Sequence, residues 1–119
     1  MELQNFTHNE LGQVRTVVKN EEPWFVAKDV ASILDIKDAW SLTRYLDEDE
    51  KLNLSLGGTG QARETTVISE SGLYSAIIRS RKPEAKKFKK WVTSEVLPTI
   101  RKTGGYVSDS DKMVETYYY

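Results

Sequence analysis

The residues with the most evident chemical purpose stand late in the chain: Arg79, Arg81, Lys82, Lys86, Lys87, Lys89, Lys90, Arg101 and Lys102, opposed there only by Glu84 and Glu95. That segment holds a net charge of plus seven, so the rest of a chain whose total is minus one holds minus eight. Cations concentrated on one element are the footprint of a polyanionic partner, because each phosphate they neutralise releases condensed counterions. Lys86, Lys87 and Lys90 lie opposite Phe88, Trp91 and Val92 at helical spacing, so one helix can bury an aromatic stripe and present ammonium groups. Arg79, Arg81 and Lys82 fall in the short connection before Pro83, where guanidinium groups can fork onto phosphate oxygens beside helix N-terminal amides. The sequence pI of about 5.9 argues against indiscriminate coating of nucleic acid.

Two further groups could read bases. Trp40, Ser41, Thr43 and Arg44 are the outward residues expected of a second short helix, with Arg44 and Ser41 able to hydrogen-bond base edges. Gln61 and Arg63 follow the glycine-rich tip Gly57-Gly58-Thr59-Gly60 and could reach a minor groove. An outward Trp40 also suits half-burial on a sheet, or an anchor for a protein partner.

Other chemistries are excluded or unsupported. The chain has no cysteine, which removes disulfides, thiolate metal sites and cysteine nucleophiles, and its single histidine, His8, cannot assemble a histidine metal site. Asp47-Glu48-Asp49-Glu50 fails the calcium-loop pattern, which needs glycine at the sixth position, where Leu52 stands. It reads as a solvated turn. The glycine tip lacks the Gly-Lys-Ser/Thr ending of a phosphate loop. Serines are plentiful, yet no base stands ready to activate one. No enzyme activity, metal or cofactor is expected, and His8 is expected on the surface of a turn without a partner.

The elements that must position these groups follow from periodicity. The 119 residues are 39% apolar and 29% charged, with a mean hydropathy of −0.54, which is the composition of one globular domain. No apolar run is long enough to span a membrane, and the N-terminus lacks a signal peptide's regions, so a cytoplasmic protein is expected. Alternation predicts strands over 3–6, 14–19 and 24–26, with a hairpin turn at Asn20-Glu21-Glu22-Pro23. Ala27, Val30, Ala31 and Leu34 then mark a short helix with Asp29 complementing its dipole. Asp38 is a suitable N-cap for a second helix whose buried face would carry Ala39, Leu42, Tyr45 and Leu46. The pair has helix-turn-helix spacing. Residues 52–68 read as a hairpin after that pair, in the manner of a wing. Ser69 is the natural N-cap of a third helix with Leu73, Ala76 and Ile77 on one face and Tyr74 and Ile78 on the adjoining one. Pro83 suits the first position of a fourth, and Pro98 is expected to end or kink it near Leu97. The class is α+β: a small antiparallel sheet, an N-terminal meander plus a later hairpin, packed with four or five helices. Residues 1–106 form the domain, and 107–119 a linker or the truncated start of a further region.

Five blocks together resemble the Bro-N domain, the N-terminal domain of prophage antirepressors and baculovirus BRO proteins. They are Val14-Arg15-Thr16-Val17, Pro23-Trp24-Phe25-Val26-Ala27-Lys28-Asp29-Val30-Ala31, Ile68-Ser69-Glu70-Ser71-Gly72-Leu73-Tyr74, the run from Ser80 to Val92, and the run from Glu95 to Lys102. They cover residues 6–106 in the family's order. Asp35 departs from the pattern, standing where the family often has glycine. The resemblance implies a DNA-binding module of a phage or prophage antirepressor in a bacterial host, joined to a separate C-terminal domain. Double-stranded DNA is the expected partner, and a homodimer would match palindromic sites. The alternative is a protein-interaction module that sequesters a repressor, its basic face meeting an acidic partner and Trp40 serving as anchor.

Overall fold

The computed structural model describes residues 3–55 and 64–103. The glycine tip with Gln61 and Arg63, and the segment 107–119, lie outside the described residues. Three strands open the chain, β1 (Gln4–His8), β2 (Gly12–Lys19) and β3 (Glu22–Val26), followed by helices α1 (Ala27–Ile33) and α2 (Ala39–Thr43). A 3₁₀ turn (Glu48–Glu50) leads into β4 (Lys51–Ser55) and β5 (Glu64–Ser69), then α3 (Glu70–Arg79), α4 (Pro83–Trp91), a π-helical turn (Val92–Val96) and α5 (Leu97–Thr103). No described helix is long and apolar enough to cross a membrane.

All five strands belong to one antiparallel sheet in the order β1-β2-β3-β5-β4. The later hairpin is therefore not a separate wing. Val67 and Ile68 are successive and both buried, the pattern of a strand covered on both faces, and β5 accordingly lies against β3 with Phe25 opposite Ile68. The β2–β3 turn is tighter than the sequence suggests, because Glu22 and Pro23 already belong to β3. Asn20 and Glu21 alone make it, at φ of 53° and 65°, the left-handed conformation that a two-residue hairpin turn needs to match strand twist.

Alternation along these strands divides the apolar residues between two faces. Val14, Phe25 and Ile68 face the helices and join Val30, Leu73, Phe88, Val92 and Ile100 in the main core. Val17, Trp24, Val26, Leu54 and Val67 form a smaller cluster on the other face. Trp91 and Phe88 are core residues, as their spacing indicates. His8 is not the unpartnered surface residue expected: its Nδ1 accepts from the amides of Glu10 and Leu11, and its ring meets Trp91 edge-on at 5.1 Å.

Pro98 does not end the helix: it falls in α5, directly after a π-helical turn. A proline ring would clash with the carbonyl four residues earlier, and the π-helical turn before it widens the backbone at that place. The Thr93 and Ser94 hydroxyls donate to the carbonyls of Lys89 and Lys90, which keeps those oxygens satisfied.

Asp29 does more than complement a dipole. It is buried, and its carboxylate accepts from the Arg15 amide, Nε and Nη2, each at 2.9 Å, tying α1 to β2. Removing it orphans three donors at once, and leaving a buried polar group unmatched costs about 1–3 kcal/mol. Asp29→Ala is expected to lose about 2–3 kcal/mol on that scale, read as a lower urea midpoint at unchanged m value. An unmoved midpoint would contradict this role.

A second constraint is steric. A Cβ on Gly72 would lie 3.0 Å from the Glu50 carbonyl oxygen and 3.1 Å from Leu46 Cδ1. The segment from Leu46 to Glu50 thus rests directly on the first turn of α3. The Ser71 hydroxyl donates to Glu50 Oε2, and the Asp47 amide to Glu50 Oε1 at 2.9 Å. Both donors hold the Glu50 carboxyl below its ordinary pKa. Gly72→Ala, which must push back a backbone oxygen, is expected to destabilise the fold by about 1–2 kcal/mol, measured as a fall in thermal midpoint; a stabilised protein would refute the contact.

Candidate nucleic-acid interface

The site begins where α1 stops. Asp35 adopts φ of 59°, and the amides of Asp35 and Ile36 donate to the carbonyls of Ser32 and Ala31 at 3.2 and 2.7 Å. This is a Schellman end, whose left-handed residue is usually glycine. It turns the chain sharply into α2. There Asp38 caps as expected, its Oδ1 accepting from the Ser41 amide at 2.8 Å, and the Ser41 hydroxyl together with that amide holds the Asp38 carboxyl below its ordinary pKa.

α2 ends at Thr43, and the helical pattern read from sequence carries past that end. Leu42 and Leu46 are buried as expected, but Tyr45 is 53% exposed. Thr43, expected outward, is buried, while Ser41 is half-buried. Trp40 is 65% exposed and Ile78, expected on an apolar face, 81%.

Exposure lets Tyr45 act as a platform. Arg79, the last residue of α3, places its guanidinium carbon 3.9 Å from the Tyr45 ring centroid. Arg44 lies 4.9 Å from the same ring and 4.8 Å from that of Trp40. A guanidinium held over an aromatic face loses little of its bonding capacity, because its N–H groups point outward in its own plane. Beside this group opens a cleft of about 340 Å³ whose lining includes Leu34, Ile36, Ser41, Tyr45, Arg79 and Arg81.

Of the cations singled out in sequence, Arg44, Arg79 and Arg81 therefore meet at one place. Lys82 adjoins it but is engaged, its Nζ 2.8 Å from Asp35 Oδ2. Lys87 is drawn instead to the β1–β2 turn, 2.6 Å from Glu10 Oε1. Lys86 and Lys90 are exposed on the outer face of α4, and no ion pair holds them among the described residues. Arg101 leaves the cluster, lying 3.9 Å from Glu70 at the other end of α3. Tyr45, which the sequence pattern assigns to a buried face, is the ring at which Arg44 and Arg79 meet. No group of three or more His, Asp and Glu is placed to hold a metal among the described residues.

The family model described as the BRO family, N-terminal domain, matches residues 13–98. The Bro-N domain-containing protein 289L of Invertebrate iridescent virus 6 is 38% identical over 82% of this chain and 28% of its own length. An uncharacterised protein of Haemophilus influenzae is 42% identical over 71% of this chain and 43% of its own length. A second Bro-N domain-containing protein of the same iridescent virus, 201R, is 32% identical over 72% of this chain and 26% of its own length. The chain thus spans less than half the length of these curated relatives. No solved structure matches it. On the family match, which runs from β2 to the start of α5 and takes in α2 and the basic turn, the chain belongs to the BRO family as its N-terminal domain.

Proposed function

We propose that this domain is the DNA-contacting module of a phage-type antirepressor or transcriptional regulator, gripping duplex phosphates through the turn after α3 and the outer face of α4. The observation that carries this reading is the convergence of Arg44 and Arg79, from two different elements, on one exposed ring beside Arg81. Aromatic stacking orients both guanidinium groups before any ligand arrives, which lowers the entropy of forming forked phosphate contacts. Lys86 and Lys90, which no ion pair holds among the described residues, extend the cationic surface. Base reading falls mainly to Arg44, since the Ser41 amide is spent on the cap and its side chain is half-buried. Gln61 and Arg63 are proposed as auxiliary contacts, and a homodimer would present two such surfaces to a palindromic site.

A second reading rests on a specific feature: Trp40, Tyr45 and Ile78 are exposed large apolar side chains, and Tyr45 lines a cleft that also includes Leu34, Ile36 and Leu42. Trp, Tyr and Arg are the residues that dominate protein interfaces. In this reading the same surface sequesters a repressor with an acidic face.

Titration of a labelled duplex at several salt concentrations separates the two. Wild type is expected to show a steep fall of log K with log salt, and Lys86→Glu with Lys90→Glu should flatten the slope by about 2, at roughly 0.9 for each lost phosphate contact. If wild type ignores DNA at low salt but binds a purified phage repressor, the DNA reading is wrong and the second one stands.

A further inference from the structure

Two acids outside the basic segment reach into it. Glu10, in the β1–β2 turn, accepts from Lys87 Nζ, and Asp35, at the end of α1, accepts from Lys82 Nζ. The partners are 77 and 47 residues apart, so the tertiary fold and not helix spacing brings each pair together. Every side chain in these pairs is at least half exposed, and pairs of that kind add little to stability. Stability alone does not account for them.

Both acids are also held in place by the backbone. Glu10 donates its amide to His8 Nδ1 at 3.0 Å, which fixes the turn that carries it. Asp35 occupies a left-handed position, which glycine, asparagine and aspartate adopt more readily than other residues, and that turn sets its carboxylate directly against a lysine of the candidate interface. The Lys82 and Lys87 ammonium groups hold the carboxyls of Asp35 and Glu10 below their ordinary pKa, so both are charged at neutral pH.

A phosphate can engage Lys82 or Lys87 only by displacing the carboxylate already there, and that carboxylate then repels it. Among the described residues no ion pair opposes Lys86, Lys90 or the Arg44–Arg79 pair in this way. We infer that Glu10 and Asp35 are specificity-determining residues, which withhold Lys82 and Lys87 from sequence-independent phosphate contact and so restrict polyanion binding to the arginine platform and the free lysines. This rests on the DNA-binding reading. On this inference a segment of plus seven offers a smaller charge to random DNA, where each additional contact would raise non-specific affinity.

The test uses a labelled random-sequence duplex and the full chain carrying Glu10→Gln, Asp35→Asn, or both. Asparagine tolerates the left-handed position and glutamine is nearly isosteric, and far-UV circular dichroism melts confirm folding. Each substitution is expected to tighten binding several-fold at moderate salt and to steepen the salt slope by about 0.9, the double variant by about 1.8. Lys82→Gln with Lys87→Gln should change wild type little, yet abolish the gain in the double variant. Glu21→Gln, which removes a charge in the β2–β3 turn and leaves the Lys82 and Lys87 pairs intact, controls for net charge. If the double variant keeps the wild-type slope and affinity, or Glu21→Gln reproduces its gain, the inference is overturned while the DNA reading survives. If neither wild type nor variant binds any duplex, it is the DNA reading that falls.

Discussion

The candidate site depends on one close approach. Because residue 72 has no side chain, the Leu46 methyl and the Glu50 carbonyl settle onto the start of α3, and the chain leaving α2 is held alongside that helix. Ser71 and the Asp47 amide secure the same place through Glu50. The consequence appears at the other end of α3, where Tyr45 lies under Arg79 and the two basic elements become one surface. A glycine contact in the frame thus serves a cation–aromatic contact at the site.

Electrostatics then sorts the basic residues into classes that composition treats alike. Arg15 is structural: it holds Asp29 with a bidentate pair, and that bond raises its pKa further. Arg44 and Arg79 are oriented by rings. Lys86 and Lys90 stand free of ion pairs among the described residues, whereas Lys82 and Lys87 are held by exposed carboxylates. Only the second and third classes can meet a polyanion without first giving something up. The formal charge of the segment therefore overstates the surface available to a ligand.

Much of the fold was legible because it is encoded locally. The meander, the later hairpin, the caps Asp38 and Ser69 and the start at Pro83 each follow from alternation, capping chemistry or the missing proline amide. The family resemblance was legible as well, since its blocks fall on β2, β3, α1, β5, α3, α4 and α5. What sequence concealed were the results of tertiary placement. Periodicity assigned Tyr45 and Ile78 to buried faces because it assumes that a helix continues and that its face is covered; α2 stops at Thr43, and nothing described covers Ile78. The pairs Arg15–Asp29, Lys87–Glu10 and Lys82–Asp35 join elements whose neighbourhood no local pattern states. The π turn before Pro98 is a similar case, a backbone adjustment that carries no signature beyond the proline it accommodates.

The account is tested most directly by a duplex titration followed by nuclear magnetic resonance, observing arginine side-chain Nε–Hε and backbone amide signals. It predicts that Arg44, Arg79 and Arg81 shift together with the outer face of α4, while the acidic turn from Asp47 to Glu50 stays still. Shifts confined to β1 and β2, or saturating on the acidic turn with the arginines unmoved, would contradict it.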